Sequence, residues 1–454
     1  MELSAPLRHP AFRRLAVTFT LNELADWMAV VALAVLVFDR TDSAMATTAL
    51  FLATRFAPAV LGPALVVRAE RDPPRITLPF LYCAEAAAFG TLALLVRHFS
   101  LVAVLAVAMI DGTLALAGRS LTRAVVARLL KSAGELRSGN AVLNMGFTFG
   151  TAVGPAVAGL IVAGLGVQSA LLVGGATFLV MAGVMFAGPL PHAEPEEGRW
   201  GDRLRAGLAY VAARTPLRRL LWAQSTAFIF FSAVIPIEVV YAKSTLGSGD
   251  SGYGALLASW GIGMVLGGVL FARLRQTGFP LLLLFSTVAV GAAYLGLAAA
   301  PTLLAACAIS VVGGLGNGVQ WVSLVSAIQE ITRSTMQARV MSVLESLAAA
   351  ATGVGFLVGG LVAAGHSPRT TFLVAGAGVL VVLAFATRSL AGTPWTRGEG
   401  AIGPSGLDEP AGSDMLKSND EDDSKLGDQG ESLAHVGGPP VEEEDAESQD
   451  PRRS

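Results

Sequence analysis

Twelve apolar stretches of membrane-spanning length follow one another along this chain, and they leave it few ways to fold. They run over about 15–38, 45–67, 76–97, 100–124, 139–165, 169–188, 217–241, 253–274, 280–299, 302–328, 338–364 and 370–388. A helix needs about 20 predominantly apolar residues to cross a hydrocarbon core roughly 30 Å thick. Inside the bilayer the backbone must satisfy its own hydrogen bonds, which a helix does within one segment. Composition agrees. Only 15% of the residues are charged and the mean hydropathy is +0.60, whereas soluble domains carry about 25% charged residues. The expected fold is an all-α membrane protein with twelve transmembrane helices.

The loops orient these helices. With the N-terminus placed in the cytoplasm, the cytoplasmic segments hold 21 Lys/Arg, from Arg8, Arg13 and Arg14 through to Arg333 and Arg339. The other side holds four: Arg40, Arg97, Lys243 and Arg369. The excess of cations on one side places both termini in the cytoplasm, and the cell (plasma) membrane is the expected location. The organisation expected is a cytoplasmic N-terminus over 1–14, six helices over 15–188, a cytoplasmic loop over 189–216, six more helices over 217–390, and an acidic tail over 391–454. Within the loop, Gly201–Arg214 has the pattern of an amphipathic interfacial helix. The tail is rich in Gly, Pro, Ser, Asp and Glu, with runs such as Glu442–Asp445, so it is expected to be disordered. No cleavable signal peptide is expected, because the first apolar run is too long and holds Glu23 and Asp26. Cys83 and Cys307 sit inside apolar runs and read as small core residues with no disulfide framework.

A glycine-faced segment stands out among the spans. In Gly146–Gly164, GFTFGTAVGPAVAGLIVAG, glycines at 146, 150 and 154 share one helix face, followed by Pro155 and Gly159. In a membrane such a face lets a neighbouring helix approach closely, either as fixed packing or as a sliding contact. The stretch 154–164 aligns without a gap on 355–365, with Gly154, Gly159 and Gly164 over Gly355, Gly360 and Gly365, and Gly359 alongside. The offset is 201 residues, and Val142-Leu143 falls on Val343-Leu344 at the same offset. Phe12-Arg-Arg-Leu15 likewise has its echo in Leu217-Arg-Arg-Leu220. Two related six-helix halves mark a rocking transporter with a site near the bilayer midplane.

These residues resemble the major facilitator superfamily, and within it the bacterial drug- and siderophore-exporter branch (enterobactin-exporter-like). The resemblance covers about 8–390. It is carried by FRRL at 12–15 with Asp26, by GNAVLN at 139–144 leading into GxxxGPAVAG at 150–159, by RAGLAYVAARTPLRRLL at 205–221, by SGYGALLASWGIG at 251–263, and by QEITRSTMQARVMSV at 329–343. It implies two pseudo-symmetric six-helix halves, with the first, fourth, seventh and tenth helices lining the cavity. The GxxxGP segment is similar to the family's fifth-helix exporter motif. The loop Gly62–Arg75 departs from the family pattern: Pro73-Pro74 stand where a basic pair is usual, and either Glu70, Arg71 and Asp72 substitute for the Asp-Arg latch or the latch is weak.

Ionisable groups inside spans are costly and mark function. Glu23 and Asp26 lie on one face of the first helix, Arg55 in the second, Glu85 in the third, and Asp111 and Arg119 in the fourth. The same depths of the second half carry Gln224 and Ser225, then Asn317, Gln320 and Trp321. One half is thus ionisable, the other polar-neutral and aromatic. A carboxyl in low dielectric favours its neutral form and can take a proton near neutrality. The resemblance makes Asp26 and Asp111 the proton-coupling residues, with Glu23 behind them and Arg55 and Arg119 as charge partners. It makes Asn317, Gln320, Trp321 and Gln224 the substrate cavity. Arg55 paired with Asp26 or Glu23 could equally be a permanent ion pair that fixes helix register. Glu85 fits a structural hydrogen bond as well as it fits a proton site.

Other chemistries lack their signatures. There is no G-x-x-x-x-G-K-[ST] for ATP, no H-E-x-x-H or cysteine–histidine metal spacing, and no G-x-S-x-G. Gly261-Ile-Gly263 lies in an apolar span without a βαβ context, so it reads as packing. Basic residues are spread over loops, which excludes a nucleic-acid face. The expectation is a monomeric, cofactor-free, non-enzymatic exporter of small organic molecules, working by proton antiport in the lipid bilayer. A proton-coupled uptake carrier and a non-transporting membrane sensor or scaffold are the alternatives.

Overall fold

The computed structural model describes residues 4–69, 72–131, 135–188, 190, 200–274, 277–333 and 336–390. Glu70, Arg71, most of the loop between the halves and the acidic tail lie outside the described residues. The described chain is helical, and no strand occurs in it.

Among the described residues, eleven helical stretches are long and apolar enough to cross a membrane. One of them, Ser138–Phe186, has 49 residues. At 1.5 Å per residue it would be about 74 Å long, more than twice the hydrocarbon thickness. It is broken at Gly166, whose φ of 82° and ψ of 166° are non-helical. Glycine takes that conformation at little steric cost, and the break divides the stretch into two spans, giving twelve. In chain order the helices are α1 (Pro10–Thr41), α2 (44–69), α3 (Pro74–Leu95), α4 (Leu101–Lys131), α5 (136–165) and α6 (167–186). The short α7 (Trp200–Ala212) precedes the second half. That half comprises α8 (215–245), α9 (Gly249–Arg273), α10 (Phe279–Ala299), α11 (Leu303–Ile331), α12 (Gln337–Gly365) and α13 (Pro368–Leu390). We call the face where α1 begins the terminal face and the other the far face.

Two spans contain π turns, and each π turn carries a cation. In α2 it is Leu52–Phe56, with Arg55; in α8 it is Tyr241–Thr245, with Lys243. Single π turns inside helices often sit at functional positions. Just before the second, Pro236 lies in a 3-10 segment, Ile235–Ile237, where its ring and missing N–H interrupt the α-helical ladder.

The two glycine-faced helices have two working faces each. On α5, Gly146, Gly150 and Gly154 receive α1 of the same half: a Cβ on Gly146 would come 3.3 Å from Thr20 Cβ, one on Gly150 2.7 Å from Glu23 Cβ, and one on Gly154 2.7 Å from Trp27 Cβ. The adjacent face crosses to the other half. Gly159 meets Gly254 of α9, a Cβ on Gly254 would come 2.5 Å from the Pro155 carbonyl, and Gly261 abuts Ala152. The second half repeats this. Gly355 and Gly359 receive Ser232 and Ala233 of α8, while Gly360 and Gly353 meet Thr48 and Phe56 of α2. Both glycine helices thus reach the other half, but through different glycines from those that pack within their own half. The glycines at 146, 150, 154, 355 and 359 hold each half together, while Gly159, Gly353 and Gly360 meet the other half. The offset of 201 preserves these roles: Gly154 and Gly355 both face inward, Gly159 and Gly360 both face across.

These inter-half contacts lie between mid-depth and the far face. There the last turns of α1, Val30–Phe38, are buried on every side and share one apolar cluster with Ile237, Val239, Val240 and Phe356 of the second half. Phe51 and Phe356 meet edge-on, with centroids 5.7 Å apart. The halves are therefore closed together toward the far face. Cys83 is exposed and Cys307 is partly exposed, both as free thiols; Cys83 points out of its half, so it is no core residue.

Candidate functional site

The charged cluster is assembled by α1, α2 and α4. Gly112 lets α2 lie close to α4, since a Cβ there would come 2.5 Å from the Thr54 carbonyl. That approach brings the π turn of α2 beside α1, and Arg55 Nη1 reaches Asp26 Oδ2 at 2.9 Å. Arg119 Nη1 lies 3.4 Å from the same oxygen and 4.0 Å from Glu23 Oε1. Arg55 also lies over the Trp27 ring, 5.6 Å from its centroid, in cation–π range. Two guanidiniums thus converge on Asp26, and Arg55 pairs with Asp26 rather than with Glu23.

Asp26 and Asp111 line one recess of about 340 Å³ with Leu33, Phe51, Thr54 and Gly112. Both residues proposed from sequence for proton coupling thus sit on one wall system. Asp111 is 6% exposed, and its Oδ1 has no hydrogen-bond partner among the described residues. Glu23 is buried behind Asp26, and its Oε1 has no hydrogen-bond partner among the described residues.

The second half holds a recess of about 370 Å³. Gln224, Asn317, Gln320 and Trp321 line it together with Phe228 and Phe231. The sequence-proposed cavity residues are thus neighbours, though not equivalent. Gln320 Nε2 donates to Thr287 Oγ1 on α10 at 2.8 Å, so its amide is held toward the interior of its own half. Trp321 is 41% exposed. Nearby, Trp260 stacks on Tyr294 with ring planes 14° apart, which gives that tryptophan a packing role. Gly261 and Gly263 are packing positions too, against Ala152 and Gly314.

The far face has a feature that sequence reasoning passed over. Lys243, on the π turn of α8, is paired with Asp39 at the end of α1 and Asp250 at the start of α9. Asp39 belongs to the other half, so the triad ties the halves together where they close. The signal was present, since Lys243 is one of the four cations expected on that face, but nothing in the sequence aligned it with Asp39. The other three are also engaged: Arg40 donates to the Val96 carbonyl, Arg97 to Gln168, and Arg369 to the carbonyls of Ala298 and Ala300. Partly exposed pairs are worth about 1 kcal/mol. Lys243→Gln is therefore expected to raise about fivefold the rate at which a maleimide labels a cysteine placed at Ser43, in a chain lacking Cys83 and Cys307. Unchanged labelling would show that the triad does not hold this face shut.

Residues 2–395 match the family described as Transmembrane secretion effector. No curated protein matches the chain. Solved structures share its fold. The nucleoside transporter NupG is 13% identical, with a TM-score of 0.67 over 86% of this chain and 99% of its own. A bacterial homologue of the human lysosomal transporter Spinster, in an inward-facing and unoccupied conformation, is 14% identical, with a TM-score of 0.65 over 86% and 98%. The human organic anion transporter MFSD10 (TETRAN) is 18% identical, with a TM-score of 0.57 over 83% and 100%.

Proposed function

Because this chain belongs to the transmembrane secretion effector family of the major facilitator superfamily, and is a multi-pass, non-enzymatic membrane transporter, we propose that it exports small, partly hydrophobic organic compounds, drug- or siderophore-like, in exchange for protons. The terminal face is cytoplasmic in this reading, by the distribution of Lys and Arg.

The observation that carries it is the placement of Asp26 and Asp111 on one recess, with Asp26 held by Arg55 from α2. The arginine that answers Asp26 sits on the helix whose Phe51, Phe56 and Thr48 grip α12 of the other half. Protonating Asp26 removes the attraction that positions Arg55. That loosens the α2–α12 grip and biases the halves toward opening at the far face. The second recess, with Asn317, Trp321, Phe228 and the free amide of Gln224, offers aromatic surface and neutral hydrogen-bonding groups to the substrate. The energy suffices. One proton moved through roughly 180 mV supplies about 4 kcal/mol at about 2.3 kcal/mol per 100 mV, which equals about a thousandfold gradient of a neutral solute.

The test begins with a thermal-shift screen of purified protein for a stabilising ligand, followed by uptake of that ligand into everted vesicles. Wild-type protein is expected to accumulate ligand when an inward-acid pH difference is imposed. The Asp26→Asn/Asp111→Asn variant is expected to exchange ligand across the membrane without accumulating it. Full pH-driven accumulation by that variant would refute the coupling assignment.

A further inference from the structure

The charges of the first half do not balance. Glu23, Glu85 and Asp111 lie buried at membrane depth, with Asp26 partly buried beside them, against Arg55 and Arg119. Arg123 is exposed and stacks over Phe19 at 5.7 Å. Both of these partly buried guanidiniums are engaged by Asp26 and Glu23, so two carboxyls are left over. One is Asp111, at the recess. The other is Glu85 on α3, which is 0% exposed and has neither carboxyl oxygen hydrogen-bonded among the described residues.

The surroundings of Glu85 narrow what can answer it. The charged groups that act on it are Asp111 first, then Arg119, both from α4, and Asp26 from α1. Its own helix adds the Tyr82 hydroxyl one turn away. The span 167–186 of α6, which packs on α3 through Gly174, Gly175 and Phe178, carries no ionisable side chain. Among the described residues no group of three or more His, Cys, Asp or Glu is arranged to hold a metal ion. A bare carboxylate with no partner in such a place costs several kcal/mol. The group that neutralises it within this space is a proton.

We propose that Glu85 is a second proton-binding site, set back from the recess. The proposal rests on the proton-coupled reading above. Asp111 takes a proton at the recess wall. Glu85 holds a proton of its own, which leaves Asp111 free to be reloaded or to meet substrate. The stored proton then lies on a residue the substrate does not touch, which separates proton occupancy from substrate binding at the recess.

Protons themselves are the probe. Infrared difference spectra of the full-length protein, between about pH 5 and about pH 9, read the C=O band of each buried carboxylic acid that titrates in the range such groups occupy. Wild type is expected to show bands for Glu85 and Asp111. Glu85→Gln loses one and Asp111→Asn the other. Should Glu85→Gln not fold, Glu85→Asp in protein labelled with 13C-glutamate keeps a carboxyl and moves its band from the labelled to the unlabelled class. A spectrum unchanged by the Glu85 variants, or a Glu85 band that does not respond to pH, overturns the second site and leaves coupling at Asp111 intact. Absence of any titrating carboxyl band in wild type overturns the proton-coupled reading itself.

Discussion

Replacing Gly359 with valine is expected to leave no monodisperse protein to purify. Even a Cβ at this position would fall on the Ala233 carbonyl oxygen and lie 2.6 Å from its carbon. Both obstacles are backbone, so no side-chain rotation relieves them. Overpacking by extra methylenes in a close-packed interior costs about 1–3 kcal/mol, and more where the backbone must move. Here α12 must retreat from α8, and with it the contacts of Gly353 and Gly360 on α2. The control is Gly365→Val, where nothing lies within 4 Å of the added atom. In fluorescence-detected size exclusion, the Gly365 variant is expected to elute as wild type and the Gly359 variant to aggregate. A normal profile for Gly359→Val would mean that α8 and α12 are not packed this closely.

Asp26→Asn is expected to be the most damaging single change in the charged cluster. It takes from Arg55 its carboxylate partner and leaves that guanidinium with the Trp27 ring. Arg119 keeps only Glu23, at 4.0 Å. Breaking one side of a buried pair costs about 3–5 kcal/mol. The Arg55 side chain is 29% exposed, so the loss here should fall nearer about 2 kcal/mol. Adding Arg55→Gln removes the stranded charge, and the double variant is expected to recover part of the lost thermal stability. Additive losses in the double-mutant cycle would show that the pair contributes nothing as a pair.

Much of the fold is legible in the sequence because the bilayer admits few solutions. Apolar length alone gives the twelve spans, and the 201-residue offset between Gly154 and Gly355 gives the two halves. The break at Gly166 is legible too, since the apolar run there is too long for one crossing. What spacing does not reveal is which neighbour each face meets. Gly154 and Gly159 lie five residues apart on one helix, yet one receives α1 and the other α9. A four-residue glycine period signals close approach and says nothing about the partner. The site shows the same division. Mid-span charge singled out Asp26, Asp111, Arg55 and Arg119, and the structure gathers them. The hydrogen bond that turns Gln320 toward Thr287, and the pairing of Lys243 with Asp39 across 204 residues of chain, depend on helix rotation and tilt. The π turns that present Arg55 and Lys243 have no sequence mark of their own.

The central claim is that the charge state of Asp26 and Asp111 sets which face is open. It is tested most directly by spin-label distances across the far face, between Asp42→Cys and Gly247→Cys in a chain lacking Cys83 and Cys307, measured at neutral and acid pH. The closed far face seen here has Asp26 engaged by Arg55 and Arg119, so protonation weakens this arrangement. Acidification is therefore predicted to shift the wild-type distances to longer values. Asp26→Asn/Asp111→Asn, which mimics the protonated pair, is predicted to show the long distances at neutral pH and no further change. Wild-type distances independent of pH, or a variant that shifts with pH as wild type does, would contradict the account.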